Sequence, residues 1–214
     1  KNTITEAGLK IKNKELYSLL KQQPNKKILG IAPLYLAFYN LSSQKNEDNY
    51  LKKIGEAPVL LNYRLARKSA SQIEIYYKNK GYLDAKVSFN ITTRKHKAKA
   101  IYDINSGDKY KIGIININFI EDEKLKKILD KLIINSRIKT GQSYNFKNLE
   151  EERNRFAQRI QNNGYYEFNK EYIHYLADTN QRLKTVDLNL VIKNIETIVG
   201  GTLLKETHKI GLIG

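Results

Sequence analysis

Three histidines, His96, His174 and His208, are the side chains best suited to proton transfer or metal ligation near neutral pH, and they are scattered along the chain. They fall in a basic turn, a strand-like segment and a terminal segment, with neither the short spacing of paired metal ligands nor a nucleophile beside them. Carboxylates cluster at Glu121-Asp122-Glu123 and Glu150-Glu151-Glu152, each at the front of an apolar helical stripe, where negative charge complements a helix N-terminus. Gly200-Gly201-Thr202 and Lys139-Thr140-Gly141-Gln142 lack the Gly-x-x-x-x-Gly-Lys-Ser/Thr spacing that wraps a phosphate. The chain has no cysteine, so disulfides and thiolate metal sites are excluded. No convergent catalytic site, metal site or cofactor site is expected, and the chain reads as a non-enzyme.

With chemistry set aside, charge is the next signal. Lys and Arg number 38 against 22 Asp and Glu, a net charge of +16, which favours polyanionic partners such as nucleic acid or anionic membrane headgroups. The excess is spread along the chain, so a merely solvated basic surface accounts for it equally well. Hydrophobic residues make up 41%, with fifteen Tyr and six Phe, enough for folded cores. The longest apolar run, Ile28 to Leu41, is broken by Pro33 and is too short to span a bilayer, which needs about 20 residues. With no Met and no signal peptide, the chain is expected to be a fragment or a processed product.

The elements that position these residues come from an internal repeat. Asn79-Lys80-Gly81-Tyr82-Leu83-Asp84-Ala85 recurs as Asn162-Asn163-Gly164-Tyr165-Tyr166-Glu167-Phe168. Ahead of each Gly-Tyr lies an amphipathic helix, marked by Leu65, Ser69, Ile73, Tyr76 and Tyr77 in the first copy. Leu149, Phe156, Ala157 and Ile160 mark it in the second, with Asn145 or Asn148 as its cap. Glycine ends both helices because it takes the left-handed conformation without a Cβ penalty. Tyr82 and Tyr165 are expected to fold back over the core.

After each Gly-Tyr come two alternating strands. Val87, Phe89 and Ile91 share one face and Ala98, Ala100, Tyr102 and Ile104 another; Val186, Leu188, Leu190 and Ile192 alternate in the second copy. The hairpin turns are read at 93–97 and 178–182. Before the second helix lie a strand with Ile115, Ile117 and Phe119 and a helix with Leu125, Ile128, Leu129, Leu132 and Ile133. The first copy has a weak strand and turn over 2–11 and a short helix capped by Asn13 and carrying Leu16, Leu19 and Leu20. An insertion at about 22–58 follows, where Pro33 could start a helix with Leu34, Phe38 and Leu41 on one face. That helix would either pack on its own domain or dock a partner.

The fold class is α+β: two βααββ modules, each a three-stranded sheet with two helices on one face. The domains are read as 1–108, 109–195, and a linker at 196–214 that opens a further element near Leu203.

The βααββ order with its helix-ending Gly-Tyr, repeated in register, resembles POTRA domains, the periplasmic modules of the BamA/TamA superfamily of outer-membrane assembly proteins. The runs Gln23–Gly30 (QPNKKILG) and Arg67–Tyr82 (RKSASQIEIYYKNKGY) are most similar to TamL, the lipoprotein form of Bacteroidetes, and the richness in Lys, Asn and Ile fits that source. The family's C-terminal β-barrel and the acylated Cys of the lipoprotein form do not occur in these residues.

The resemblance implies a periplasmic arm, tethered to the outer membrane, that binds unfolded outer-membrane clients or accessory assembly and transport subunits by β-strand addition. It places the receiving edge on the second strand of each module, Lys86 to Thr92 and Lys170 to Ala177. Lys86, Ser88 and Asn90 in one, and Tyr172, His174 and Tyr175 in the other, are the candidate partner contacts; neighbouring packing would cover the same surface. Anionic headgroups are a further expected partner. A basic nucleic-acid-binding α+β protein is the rival reading, disfavoured because neither an RRM strand motif nor a KH Gly-x-x-Gly loop is present.

Overall fold

The computed structural model describes residues 1–24, 60–94, 97–117 and 122–193, together with the backbone of strands at 195–199 and 202–206. Most of the insertion read at 22–58, with Pro33, Leu34, Phe38 and Leu41, lies outside the described residues, as do Phe119, Glu121, His96, His208 and Gly200-Gly201. The chain divides into two compact units. One comprises Lys1–Tyr76 with Ala85–Ser106, the other Tyr77–Asp84 with Gly107–Gly214.

In the first unit, β1 (Asn2–Glu6) turns through Ala7 and Gly8, both at positive φ, into the two-residue β2 (Leu9–Lys10). Asn13 then caps α1 (Lys14–Ser18) through the Glu15 N–H, as expected. Helix α2 (Tyr63–Asn79) begins where Asn62 accepts from the N–H groups of Arg64 and Leu65. Its buried stripe is Ala66, Ser69, Ala70 and Ile73. The sheet is completed by β3 (Lys86–Arg94) and β4 (Lys97–Asn105), in the order β2-β1-β4-β3. It has four strands where three were expected, because the Ala7-Gly8 turn lets Leu9 and Lys10 pair back on β1, a return too short to show alternation. Strand β1 runs parallel to β4, and Ile4, Ala100, Tyr102 and Ile104 are buried on the sheet.

In the second unit, β5 (Lys111–Ile117) leads to α3 (Glu123–Ile134) and α4 (Phe146–Gln161). A single 3-10 turn (Lys170–Tyr172) precedes β6 (Ile173–Asn180) and β7 (Thr185–Ile192). The sheet order is β5-β7-β6, with β5 parallel and β6 antiparallel to the central β7. Leu125 and Leu129 of α3 and Phe156, Ala157 and Ile160 of α4 meet Tyr165, Phe168, Ile173 and Leu190 in one core. Tyr110, Ile112, Ile138, Leu149, Val186 and Leu188 form another. Burying each of these large side chains contributes roughly 1.5–3 kcal/mol.

The backbone breaks its alternation once in β5. Ile112 pairs with Val186 but Ile115 pairs with Leu188, so one extra residue is accommodated in a bulge. The Asp187 carboxylate accepts the Ile114 N–H at 2.7 Å and the Thr140 hydroxyl donates to the Gly113 carbonyl at 2.7 Å, which satisfies groups the ladder leaves unpaired. The outer side of β5 is partly covered. Ile112 donates to Gln142 and accepts from Gly141, and Tyr144 donates to Tyr110. Residues 195–199 (β8) and 202–206 (β9) form a separate antiparallel pair in the stretch read as a linker.

Candidate functional site

Each sheet presents an edge strand that no described strand covers: β3 in the first unit and β6 in the second. An open edge is a row of backbone donors and acceptors with no partner inside the sheet, so it can extend the sheet with another chain. Along β3, Lys86, Ser88 and Asn90 are exposed while Val87, Phe89 and Ile91 are half-buried. Phe89 lies against Tyr102 with ring centroids 6.3 Å apart. The sequence-derived contact residues of this strand therefore share its outer face. The edge is not bare throughout, because the Glu74 carboxylate lies 3.4 Å from the Val87 N–H.

Strand β6 begins three residues later than its sequence suggests. Asn169 accepts the Glu171 N–H and its carbonyl accepts the Tyr172 N–H, so residues 170–172 close into a 3-10 turn before extending. Tyr172 thus lies in the turn, its ring 5.6 Å from that of Phe168 and packed on the core. Tyr175 faces the helices and touches both cores; burial, and then the nearby Glu152 carboxylate, push its hydroxyl well above the usual tyrosine range. His174 is half-buried and Leu176 exposed, on the opposite face of the strand. The hairpin turn likewise comes later than expected, over residues 181–184, with Lys184 at φ 53°.

The pairing phase of β6 fixes which backbone groups are open. Lys193 donates to the Tyr172 carbonyl, so in an antiparallel ladder residues 174, 176 and 178 point their N–H and C=O groups at β7. Tyr175, Ala177 and Thr179 point theirs outward.

The two Gly-Tyr pairs end α2 and α4 with one hydrogen-bond pattern. Gly81 and Gly164 both sit at φ 101°, donating to Lys78 and Gln161, while Tyr82 and Tyr165 donate to Tyr77 and Ile160. The tyrosine rings then part company. Tyr165 is buried and its hydroxyl donates to Asp122 at 2.6 Å, whereas Tyr82 is half-buried, tilted against Tyr77 at 5.7 Å and with the Lys109 ammonium 5.7 Å from its ring. A β-carbon on Gly81 would lie 2.4 Å from the Tyr144 carbonyl oxygen.

Two polar clusters went unread in the sequence. Asn145 caps α4, which places Glu150 to Glu152 beyond its first turn and corrects their reading as N-terminal charges. Glu152 is 1% exposed; it accepts from Arg155, from the Ser136 hydroxyl at 2.7 Å and from the Arg137 N–H at 3.1 Å. Burial opposes its charge, but those three donors outweigh it and hold the carboxyl below the usual glutamate range. The signal was its place in the stripe Leu149-Glu152-Phe156-Ile160. In the second cluster Asp84 accepts from the Lys184 ammonium at 2.7 Å and the Tyr110 hydroxyl at 3.0 Å.

Among the described residues no three His, Asp or Glu side chains come together as a metal site, and no helix is long and apolar enough to cross a membrane. Residues 110–194 match the POTRA family model, described as "Surface antigen variable number repeat". No curated protein matches the chain. Among solved structures it is similar to POTRA domains 3–5 of BamA from Haemophilus influenzae, with 16% identity, 89% of this chain and 64% of that chain covered, and a TM-score of 0.47. It is also similar to POTRA domains 1–2 of the periplasmic domain of Omp85 from Anabaena, with 10% identity, 92% and 95% covered, and a TM-score of 0.39. The chain thus spans less than two thirds of the BamA fragment.

Proposed function

We propose that this chain is a non-enzymatic periplasmic arm of an outer-membrane assembly or translocation factor, built of two POTRA-type modules over 1–108 and 109–195. In this reading it binds extended segments of client or accessory proteins on its open sheet edges and presents them to a β-barrel. The observation that carries it is the open edge of β6 inside the stretch that matches the POTRA model, with Tyr175, Ala177 and Thr179 aiming backbone groups outward. Main-chain hydrogen bonds tolerate varied side chains, which suits an arm that must accept many clients. His174 and the exposed Leu176 would read one face of an added strand, and Lys86, Ser88 and Asn90 would do so on β3. Tyr172 and Tyr175 would hold the edge in place from within. The local runs at Gln23–Gly30 and Arg67–Tyr82 favour the TamL form within this class.

The test is Ala177→Pro. Proline there removes an outward N–H without breaking a ladder bond, so the fold is kept while strand addition is blocked. A peptide copying one strand of an outer-membrane barrel should bind the parent protein and lose at least roughly tenfold in affinity to the variant. Equal binding, with both proteins melting alike, would remove the edge reading.

A further inference from the structure

The outer side of the α3-α4 pair carries a groove of about 420 Å³ that has no part in either sheet edge. The two helices run antiparallel. The end of α3 meets the front of α4 through Ser136 and Glu152, and the start of α3 meets the end of α4 through Asp122 and Tyr165. The groove's floor is Ile128 and Leu132, and its walls are Lys127 and Lys131 on α3 and Arg155 and Arg159 on α4. Each wall is therefore an i, i+4 pair, with its charges one helical turn apart.

Of these four cations only Arg155 is tied down. Its guanidinium donates to Glu152 and to the Leu132 carbonyl. Lys127, Lys131 and Arg159 are exposed, have no ion pair among the described residues, and no carboxylate lines the groove. Positive charge is thus strung along a concave strip instead of converging on one point. A single small anion would satisfy one end of such a strip, and a flat anionic surface would not reach its apolar floor.

From this we infer that the groove docks an acidic amphipathic helix of a partner protein. The partner's apolar residues would sit on Ile128 and Leu132, and its Glu or Asp residues, themselves at i, i+4 spacing, would face the lysine wall and Arg159. This goes beyond the strand-edge reading and stands on different residues, so either can fail alone.

The experiment uses the 214-residue chain and a designed sixteen-residue peptide with Leu along one face and Glu at i, i+4 on both flanks, followed by fluorescence anisotropy and circular dichroism. The acidic peptide should bind with a gain in helicity. A Glu-to-Gln version should bind on the order of tenfold more weakly, as should the acidic peptide to the K127Q/K131Q/R159Q protein. Binding should also weaken as salt rises from about 50 to 500 mM. The A177P variant should bind the peptide like the parent. Equal affinity for the Glu and Gln peptides, or an unchanged affinity of the triple variant, would overturn the inference. So would vesicles of phosphatidylglycerol binding through the same three residues while the peptide stays free.

Discussion

The Asp122 carboxylate joins the start of α3 to the end of α4: one oxygen accepts the N–H groups of Lys124 and Leu125, and the other accepts the Tyr165 hydroxyl at 2.6 Å. A helix cap and a helix-terminating motif are thereby closed by one side chain. Burial alone would raise the Asp122 carboxyl, but the Tyr165 bond and the two backbone bonds together hold it below the ordinary aspartate range. The same burial, with the neighbouring carboxylate, drives the Tyr165 hydroxyl upward.

Tyr165→Phe should therefore cost roughly 1.5–3 kcal/mol at neutral pH, the net worth of a bond to a charged acceptor. A group whose folded pKa is depressed stabilises above its unfolded pKa, and that contribution is lost as pH falls through the folded value. The gap between parent and variant should be full near pH 7 and close below about pH 4. Urea melts across that range measure it.

Glu152 gives a larger effect of the same sign. Glu152→Gln keeps the shape and the oxygen that accepts from Ser136 and Arg137, but removes the charge facing Arg155 and replaces the oxygen that accepts Arg155 Nε by a donor, so a loss of about 3 kcal/mol is expected at pH 7. Because its carboxyl is also held low, the difference should shrink once the pH drops below about 4. An undiminished difference at pH 3 would contradict this account.

Both repeat glycines should resist substitution, because both sit in the left-handed region. Gly164→Ala meets the left-handed penalty of roughly 1–2 kcal/mol. Gly81→Ala meets that penalty and, in addition, a backbone oxygen 2.4 Å from the new carbon, so it should lower the melting temperature by more than the left-handed penalty alone would. Calorimetry on each variant beside the parent measures the loss.

At the β5 bulge, Gly113→Ala would place its β-carbon 2.0 Å from Asp187 Oδ1, forcing that side chain off the Ile114 N–H. Asp187→Ala removes the same bond without the clash. Each should cost about 1–3 kcal/mol, and the double variant less than their sum, because both act through one hydrogen bond. Urea denaturation of the three proteins completes the cycle.

How far the sequence could be read follows from which signals are periodic. Leu125 and Leu129 repeat at helical spacing and Val186, Leu188 and Leu190 at strand spacing, and the structure buries all five. Glycine followed by Tyr, recurring behind two amphipathic stripes, marked both helix ends. What escaped was aperiodic. Leu9 and Lys10 pair because of a two-residue turn, and residues 170–172 coil because of the single Asn169. Glu152 reads as one of three helix-start charges because Asn145 and Asn148 can both cap the helix in sequence, and the structure selects Asn145. The bulge left one usable trace, a glycine inside the strand 111–117, since such a glycine often marks a break in the ladder. No motif within a strand marks the open edges: the resemblance to POTRA modules put them on the second strand of each module, and the pairing has β3 and β6 outermost.

The parallel pairing of β5 with β7 sets a schedule for the nascent chain. Lys111–Ile117 emerges first, yet its neighbour in the sheet is Thr185–Ile192, so the strand must wait while both helices and β6 are made. Until then the β6 hairpin is also unfinished, and no length of chain that stops short of β7 holds this sheet. A chain delivered from its N-terminus leaves β5 without its main partner until the last strand arrives, and a break anywhere between the two separates strands that the finished module keeps side by side.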